Sequence, residues 1–576
     1  MTAVKNHPLV FCARLFFISL TVYLQGLSIH GFEYRDDEIF YFKSTQEMVK
    51  TGDYLSPKYF GEDRFQKPIL FYWFIIMGYK LFGPGWFGAR FFSAVFAALT
   101  VSATWLLARE IYNRRVASLG ALMVMVLPMF FRHAKNAVPD MAMNFFIVLA
   151  MLFIVRFLKN PSRTADSVAC FVACACGFMI KGFAALIVPL GTVIIYCFWY
   201  RRFNTLIRFG FLRGTLIMAA IIAPWFIYMA AVHGQGYMDY MLGVETSSRL
   251  MGDFKENVFW LKLTTFVRHL GFYLQTMFSW FAPWSLFLPF VLIFAVIRKK
   301  TNTYDKELTG LLIIWFFLVY VFFSFMYFKI SHYVLVLSSS FAVLTAGFLL
   351  APFDGAYWWD KALNWFRWGA LTFINIVLLV AVAFLVVYLA QGGLPWLLGF
   401  AALIGGVVYV NVRYRQPAVA AILLAVCMAF VQSQAGMASK TKLTPHSTFQ
   451  EMARRVHEMS PPIGEYAIGV ASHDIHEKEL QVYFEQQIFK AGHSWPGVVE
   501  INLEKLFAND KVYCFVLRKD YEAFRKYFDN MEIVLKDDII RRRFYLDGGF
   551  VRALIGFNQP VVHDYLYEEI LLVRKN

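Results

Sequence analysis

Apolar stretches of about 20 residues, long enough to cross a hydrocarbon core, recur along this chain from its first residues to position 434. A soluble fold cannot bury so many, so most of the chain is assigned to a bilayer. The pattern gives about thirteen spans, over residues 9–29, 86–108, 115–133, 138–157, 166–180, 183–199, 212–232, 273–297, 309–328, 332–351, 369–390, 394–412 and 416–434. Composition agrees: 59% of the 576 residues are hydrophobic and only 16% charged, with a mean hydropathy of +0.53. The run over 9–29 lacks a small-residue cleavage site and exceeds a signal h-region, which predicts an uncleaved span. Lys181-Gly182 interrupts one apolar block and predicts a tight turn between two spans.

The formal net charge is +16. In a soluble protein that would suggest a nucleic-acid partner. Here the basic residues concentrate in short loops, at 109–115, 156–163, 201–208, 298–306 and 413–416. All fall on one side of the predicted topology, which makes that side the cytoplasm. No nucleic-acid partner is therefore expected. The N-terminus lies inside, and loops 30–85 and 233–272 and everything after 435 lie outside. In a Gram-negative cell that outer compartment is the periplasm and the membrane is the inner one. Seven cysteines are present. Six sit in apolar runs and Cys514 stands alone, so neither a zinc knuckle nor a disulfide framework is expected.

Loop 30–85 is too apolar for a plain solvent loop. "KPILFYWFIIMGYKLFG" predicts a helix at or dipping into the outer interface, and 36–50 predicts a shorter helix ended by Thr51-Gly52. After Met437 the composition changes. "EYAIGVAS", "KVYCFVLR" and "EEILLVRK" read as strands, and "KELQVYFEQ" and "RKDYEAFRKYF" as helices. The expected architecture is an α-helical polytopic membrane domain over 1–435, with outer juxtamembrane helices, followed by a small α/β domain over 436–576.

Polar residues bordering spans are uncommon and often functional. On the predicted outer face these are Asp37, Lys67, Asp140, Lys181, Arg249, His269, Lys329 and Tyr333. Each has a plainer explanation. Asp37 and Asp140 suit helix starts, Lys67 suits a snorkelling lysine, Arg249 a solvated loop and Tyr333 an interfacial belt. Lys181 has no acid near it in the sequence. Together they place carboxylates and cations on one side of the membrane, as a base beside an anion site would require. Tyr41, four residues after Asp37, shares its helix face. No Walker loop, G-x-S-x-G or H-E-x-x-H motif is present. An outward-facing transferase needs a donor already activated in the membrane, and a polyprenyl-phosphate sugar meets that need. A transporter or lipid flippase is the alternative, but the polar residues gather at one boundary rather than at the midplane.

The segments "DDEIFYFKSTQEMVKTGDYLSPKYFGEDRFQKPILFYWF", "VPDMAMNFF", "IKGFAALIVPL", "ETSSRLMGD" and "FSFMYFKISHYVLVL" occur in that order over about residues 30–350. In them the chain resembles the bacterial branch of the GT-C glycosyltransferases, the group of the lipid A aminoarabinose transferase and the dolichyl-phosphate-mannose protein mannosyltransferases. The resemblance implies an inverting transfer from an undecaprenyl-phosphate-type donor to a lipid A, glycan or protein acceptor. It implies Asp37 as catalytic carboxylate, Asp140 as the second aspartate, and Lys67, Lys181 and Arg249 as the cations that hold the lipid phosphate. Tyr333 would lie near the carrier, with Lys329 beside it, and Tyr41 matches a tyrosine of the first-loop helix. The chain departs from the aminoarabinose branch at Phe40, Gln66 and Ser331, where that branch has arginine, glutamate and proline. The sugar is therefore left open. No metal ligand is assigned and no cofactor is required, although a divalent metal stays compatible with the reading.

Overall fold

The computed structural model describes residues 8–28, 36–241, 259–297, 305–326, 329–351, 358–389, 394–435, 445–458 and most of 466–575 except 491–495, 541–558 and a few short gaps. Contacts divide the chain into two compact units. The first comprises 1–27, 44–384 and 394–433, and the second 28–43, 385–393 and 434–576.

The first unit is helical. Its elements are α1 (Pro8–Leu24), the end of α2 (Asp36–Thr51), a short ribbon of β1 (Lys58–Tyr59) and β2 (Glu62–Asp63), α3 (Leu70–Phe82), α4 (Trp86–Ile111), α5 (Arg114–Val126), α6 (Pro128–Ala134), α7 (Asp140–Lys159), α8 (Thr164–Lys181) and α9 (Ala184–Trp199). Then come α10 (Phe203–Phe209), α11 (Phe211–Asp239), α12 (Phe259–Trp280), α13 (Leu288–Ile297), α14 (Lys306–Phe325), a 3₁₀ segment (Ser331–Leu337), α15 (Ser338–Leu349), α16 (Trp358–Leu389), α17 (Leu394–Tyr414) and α18 (Pro417–Ala435). Among the described residues, seven helices are long and apolar enough to cross a membrane, or eight if the bent pair α5–α6 is one span. Most other expected spans are helical but shorter, including α1, α9 and the start of α18.

The expected span 273–297 is corrected. α12 begins 14 residues earlier, at Phe259, and ends at Trp280, and a 3₁₀ turn over Trp284–Phe287 precedes α13. Pro283 and Pro289 have no N–H to give to a continuous ladder, which divides the run. α5 and α6 meet at 65° for the same reason. Pro128 opens α6, and Leu127 before it is extended (ψ 128°), as a residue preceding proline tends to be.

Close packing fixes the hairpins. α4 packs on α1, α3, α5 and α7. Where α3 meets α4, a Cβ placed on Gly78 would stand 2.1 Å from the Gly88 carbonyl oxygen, so only glycine fits. Thr104 and Ser339 share a buried 2.8 Å hydrogen bond between α4 and α15. α7 and α8 form an antiparallel hairpin. Asp140 stands in the first turn of α7 and Lys181 in the last turn of α8, so each charge complements its helix dipole. Gly182, at φ 108°, ends α8 in a conformation that side chains resist.

The ribbon before α3 is tied on all sides. Phe60 and Gly61 both have positive φ, the conformation of a tight hairpin turn. Trp73 Nε1 donates to the Tyr54 carbonyl and Trp225 Nε1 to that of Leu55. His233 Nε2 lies 3.0 Å from Ser56 Oγ and its Nδ1 3.2 Å from Asp63 Oδ2. His233 stands where Gly234 (φ 60°, ψ −143°) breaks the helical path of α11.

The second unit holds a five-stranded mixed sheet in the order β4-β3-β5-β7-β6. Its strands are β3 (Ala467–Val470), β4 (Phe489–Lys490), β5 (Val512–Leu517), β6 (Glu532–Ile540) and β7 (Tyr567–Lys575), with helices α19 (Pro445–Glu458), α20 (Pro496–Phe507), α21 (Arg518–Ala523) and α22 (Gln559–Leu566). β3 runs parallel to β4 and β5, and β7 antiparallel to β5 and β6. β5 is buried along its whole length, as a central strand covered on both faces must be. The three expected strands form. β4, β6, α19, α20 and α22 were not expected, the helix expected from "RKDYEAFRKYF" ends early at Ala523, and that from "KELQVYFEQ" falls mostly outside the described residues. Burial pushes the Cys514 thiol well up, so it is unreactive. Lys43, in the early part of this unit, donates to the Phe484 carbonyl at 3.4 Å.

Candidate active site

In the first unit a cavity of about 240 Å³ opens between the start of α7, the end of α8, the start of α9 and the 3₁₀ segment. Its walls are mostly apolar, including Phe178, Phe183, Phe226, Phe322 and Phe323. Its polar side chains are Gln66, Lys67, Asp140, Lys181, His332 and Tyr333. A space of this composition suits an amphiphile with an anionic head and an apolar tail.

Four expected site residues therefore meet: Lys67, Asp140, Lys181 and Tyr333. Lys67 follows the tied ribbon directly, and its Nζ donates to the Gln66 carbonyl at 2.9 Å. The absence of an acid near Lys181 in sequence does not survive folding. Lys181 Nζ lies 2.6 Å from Asp140 Oδ1, with the side chains only 13% and 5% exposed. The α7–α8 hairpin brings the two together across 41 positions. The same ammonium lies 3.3 Å from His332 Nε2 and 5.8 Å from the centre of the Tyr333 ring. Tyr333 is held against Phe323, with ring centres 4.5 Å apart.

Comparison with known proteins extends this picture. A family model described as dolichyl-phosphate-mannose-protein mannosyltransferase matches residues 66–228, which include Gln66, Lys67, Asp140 and Lys181. An undecaprenyl phosphate-alpha-4-amino-4-deoxy-L-arabinose arabinosyl transferase of Pseudomonas fluorescens is 32% identical over 321 residues, covering 54% of this chain and 55% of that protein. A relative of the same description from Pseudomonas savastanoi pv. phaseolicola is 30% identical over 368 residues, covering 63% and 66%. The chain spans little more than half the length of the first curated relatives it matches. ArnT from Cupriavidus metallidurans, solved bound to undecaprenyl phosphate, aligns over 98% of this chain and 97% of its own, with a TM-score of 0.65 at 17% identity. The same protein in the apo state gives 0.66 at 18%.

The fold is the GT-C fold. The chain is a multi-pass membrane protein that resembles the GT-C glycosyltransferases of the aminoarabinose branch.

Other expected residues of this GT-C chain fall elsewhere. Lys329 is exposed, does not line the cavity and lies 5.9 Å from the Phe272 ring. Arg249 lies outside the described residues. Asp37 and Tyr41 belong to the second unit. Asp37 is exposed in the first turn of α2, and Tyr41 on the next turn is buried. His269 is buried, its Nδ1 3.0 Å from the Ser324 carbonyl.

Two site residues escaped sequence reasoning. His332 stands one position before Tyr333, inside a stretch singled out for other residues. His133, on α6, is fully buried, and its ring centre is 5.7 Å from that of His332. His133, Asp140 and His332 offer donor atoms that all lie within 4.8 Å of one another. Of the described residues, these are the ones that can hold a metal ion.

Proposed function

We propose that this chain is an inverting glycosyltransferase. It moves a sugar from a polyprenyl (undecaprenyl) phosphate carrier to a lipid A, glycan or protein acceptor on the periplasmic face of the bacterial inner membrane. The observation that carries this reading is the presence of Lys67 and Lys181 together in one largely apolar cavity. Such a cavity offers cations to a phosphodiester and phenylalanine rings to the isoprenoid chain.

In this mechanism the donor phosphate lies against Lys67 and Lys181, with Arg249 as a third cation. The acceptor hydroxyl attacks the anomeric carbon from the face opposite the phosphate, and Asp37 takes its proton. The C1–O bond to phosphate breaks, and the polyprenyl phosphate leaves as a monoester. Its added negative charge is what the two lysines stabilise, so no general acid is needed at the leaving oxygen. A carboxylate is a weak base, so proton loss runs concerted with attack. Asp140 holds Lys181 in place and supplies the fixed counter-charge beside the anion site. Tyr41 supports the Asp37 face of α2, and Tyr333 lies beside the carrier head.

The test is release of polyprenyl phosphate from a polyprenyl-phosphate sugar by the purified chain, with mass spectrometry of surface glycans and lipid A in cells with and without it. The expected result is one sugar missing without the chain, and carrier release that depends on Asp37. Carrier movement across vesicles with no sugar transfer would overturn the reading in favour of a flippase.

A further inference from the structure

We propose that His133, Asp140 and His332 form a binding site for a divalent transition metal of the zinc class, and that the metal competes with the Lys181 ammonium for Asp140. The site is new relative to the transfer reading and does not depend on it.

Three observations converge. The first is the donor set. Two imidazoles and one carboxylate suit zinc and its neighbours rather than magnesium or calcium. Three protein ligands leave one position open, as at reactive zinc centres. The second is the tautomer of His133. Its Nδ1 lies 2.7 Å from the Met129 carbonyl oxygen. A carbonyl only accepts, so Nδ1 carries the proton and Nε2 carries the lone pair. An imidazole held through one nitrogen by a backbone carbonyl and offering the other is how metal-ligating histidines are oriented. The third is the direction of His332. Its Nε2 points at the cluster, 3.4 Å from Asp140 Oδ1 and 3.3 Å from Lys181 Nζ. That nitrogen stands beside both a carboxylate, which only accepts, and an ammonium, which only donates, and it turns a lone pair to the cluster when the ring proton sits on Nδ1.

Asp140 and His332 thus already face a cation, the Lys181 ammonium, with His133 beside them. A zinc ion with bonds of about 2.0–2.1 Å needs its donors closer than the present spread of up to 4.8 Å, so the cluster contracts on binding. It also repels the ammonium. Lys181 lines the cavity, so its free path leads into the space where an anion would lie. Metal binding and anion binding are therefore coupled positively, and by linkage each tightens the other.

The test uses the full chain in detergent, with Co²⁺ and Zn²⁺ as probes. The expected result is one Co²⁺ per chain with the strong visible absorption of a tetrahedral site, displaced by Zn²⁺. His133→Ala and His332→Ala each weaken binding at least tenfold. Lys181→Met tightens it at least tenfold, because the competing ammonium is gone. That gain cannot arise from misfolding, so it stands even if a histidine variant folds poorly. Inorganic phosphate should tighten Co²⁺ binding in the parent chain and lose that effect in Lys181→Met. Absence of a tetrahedral cobalt spectrum overturns the proposal. So does stoichiometric binding indifferent to both histidines, or a Lys181→Met variant that binds no tighter.

Discussion

Lys181 and Asp140 form an ion pair of 2.6 Å in the lining of the cavity, although 41 positions separate them. Both are largely buried. Removing one partner leaves the other charge with poor solvation, which costs about 3–5 kcal/mol in such pairs. Lys181→Met should therefore lower both activity and thermal stability. Lys181→Met combined with Asp140→Leu should recover most of the stability and none of the activity. A melting series beside a turnover assay separates the two, and failure of the double variant to regain stability would contradict the pairing.

Asp37 lies in a different setting. It is exposed in the first turn of α2, so Asp37→Asn should leave folding within about 0.5 kcal/mol of the parent, as for most surface changes. If Asp37 is the base, turnover should fall on the order of 10²- to 10⁴-fold while donor binding persists. Near-parental turnover in this variant would remove it from the mechanism.

The ribbon that delivers Lys67 gives a third expectation. His233 ties it to α11 through Ser56 and Asp63. His233→Ala should raise the KM for lipid donor on the order of tenfold or more, because misplacement by about 1 Å is costly. His233→Gln, which keeps one hydrogen bond, should recover part of it. An unchanged KM for both would show that Lys67 is positioned without the tie.

Gly78→Ala tests the α3–α4 contact. The added methyl meets a backbone oxygen, which cannot rotate away as a side chain would. Overpacking of this kind costs roughly 1–3 kcal/mol or more, so the melting temperature should fall. Gly85→Ala, where a Cβ meets nothing within 4 Å, is the matched control and should change it little.

Lys135 supplies a pH dependence. Burial first, and then the Arg90 charge, push it down to about 8. In the unfolded chain it titrates near 10.4. Between these values the unfolded state binds more protons than the folded one, so stability rises with pH. Melting temperatures from pH 7.5 to 10 should show this rise in the parent. Lys135→Gln should remove this contribution and melt higher than the parent near pH 7.

What was legible in the sequence follows from the range of the forces involved. α7 and α8 were readable because a bilayer-length apolar run and a charged Lys-Gly break are local signals. So were the strands β3, β5 and β7, whose apolar runs reflect burial. β6 was not, because it closes one edge of the sheet and its apolar residues are interrupted by the charged run Lys536, Asp537 and Asp538. The Asp140–Lys181 pair was invisible, since it depends on the register of two helices rather than on any spacing. His133 carried no signal at all. It lies in an apolar bend made by Pro128, and only the fold of α6 turns it toward Asp140. Lys329 is the converse case, because nearness to Tyr333 in sequence does not carry it into the lining of the cavity.

The α7–α8 hairpin is closed by charges at both ends. Asp140 meets Lys181 at one, and Arg156 and Arg163 flank Asp166 at the other. Between them run 20 and 18 helical residues, roughly 30 and 27 Å of rise, close to the thickness of a hydrocarbon core. The hairpin is therefore a ruler set between two polar boundaries. A bilayer thinner than that length can be met by tilting the hairpin, and a thicker one by thinning locally around it. Tilt changes the depth at which the Lys181 end stands relative to lipid phosphates. The thickness of the surrounding membrane thus becomes a variable of the cavity itself.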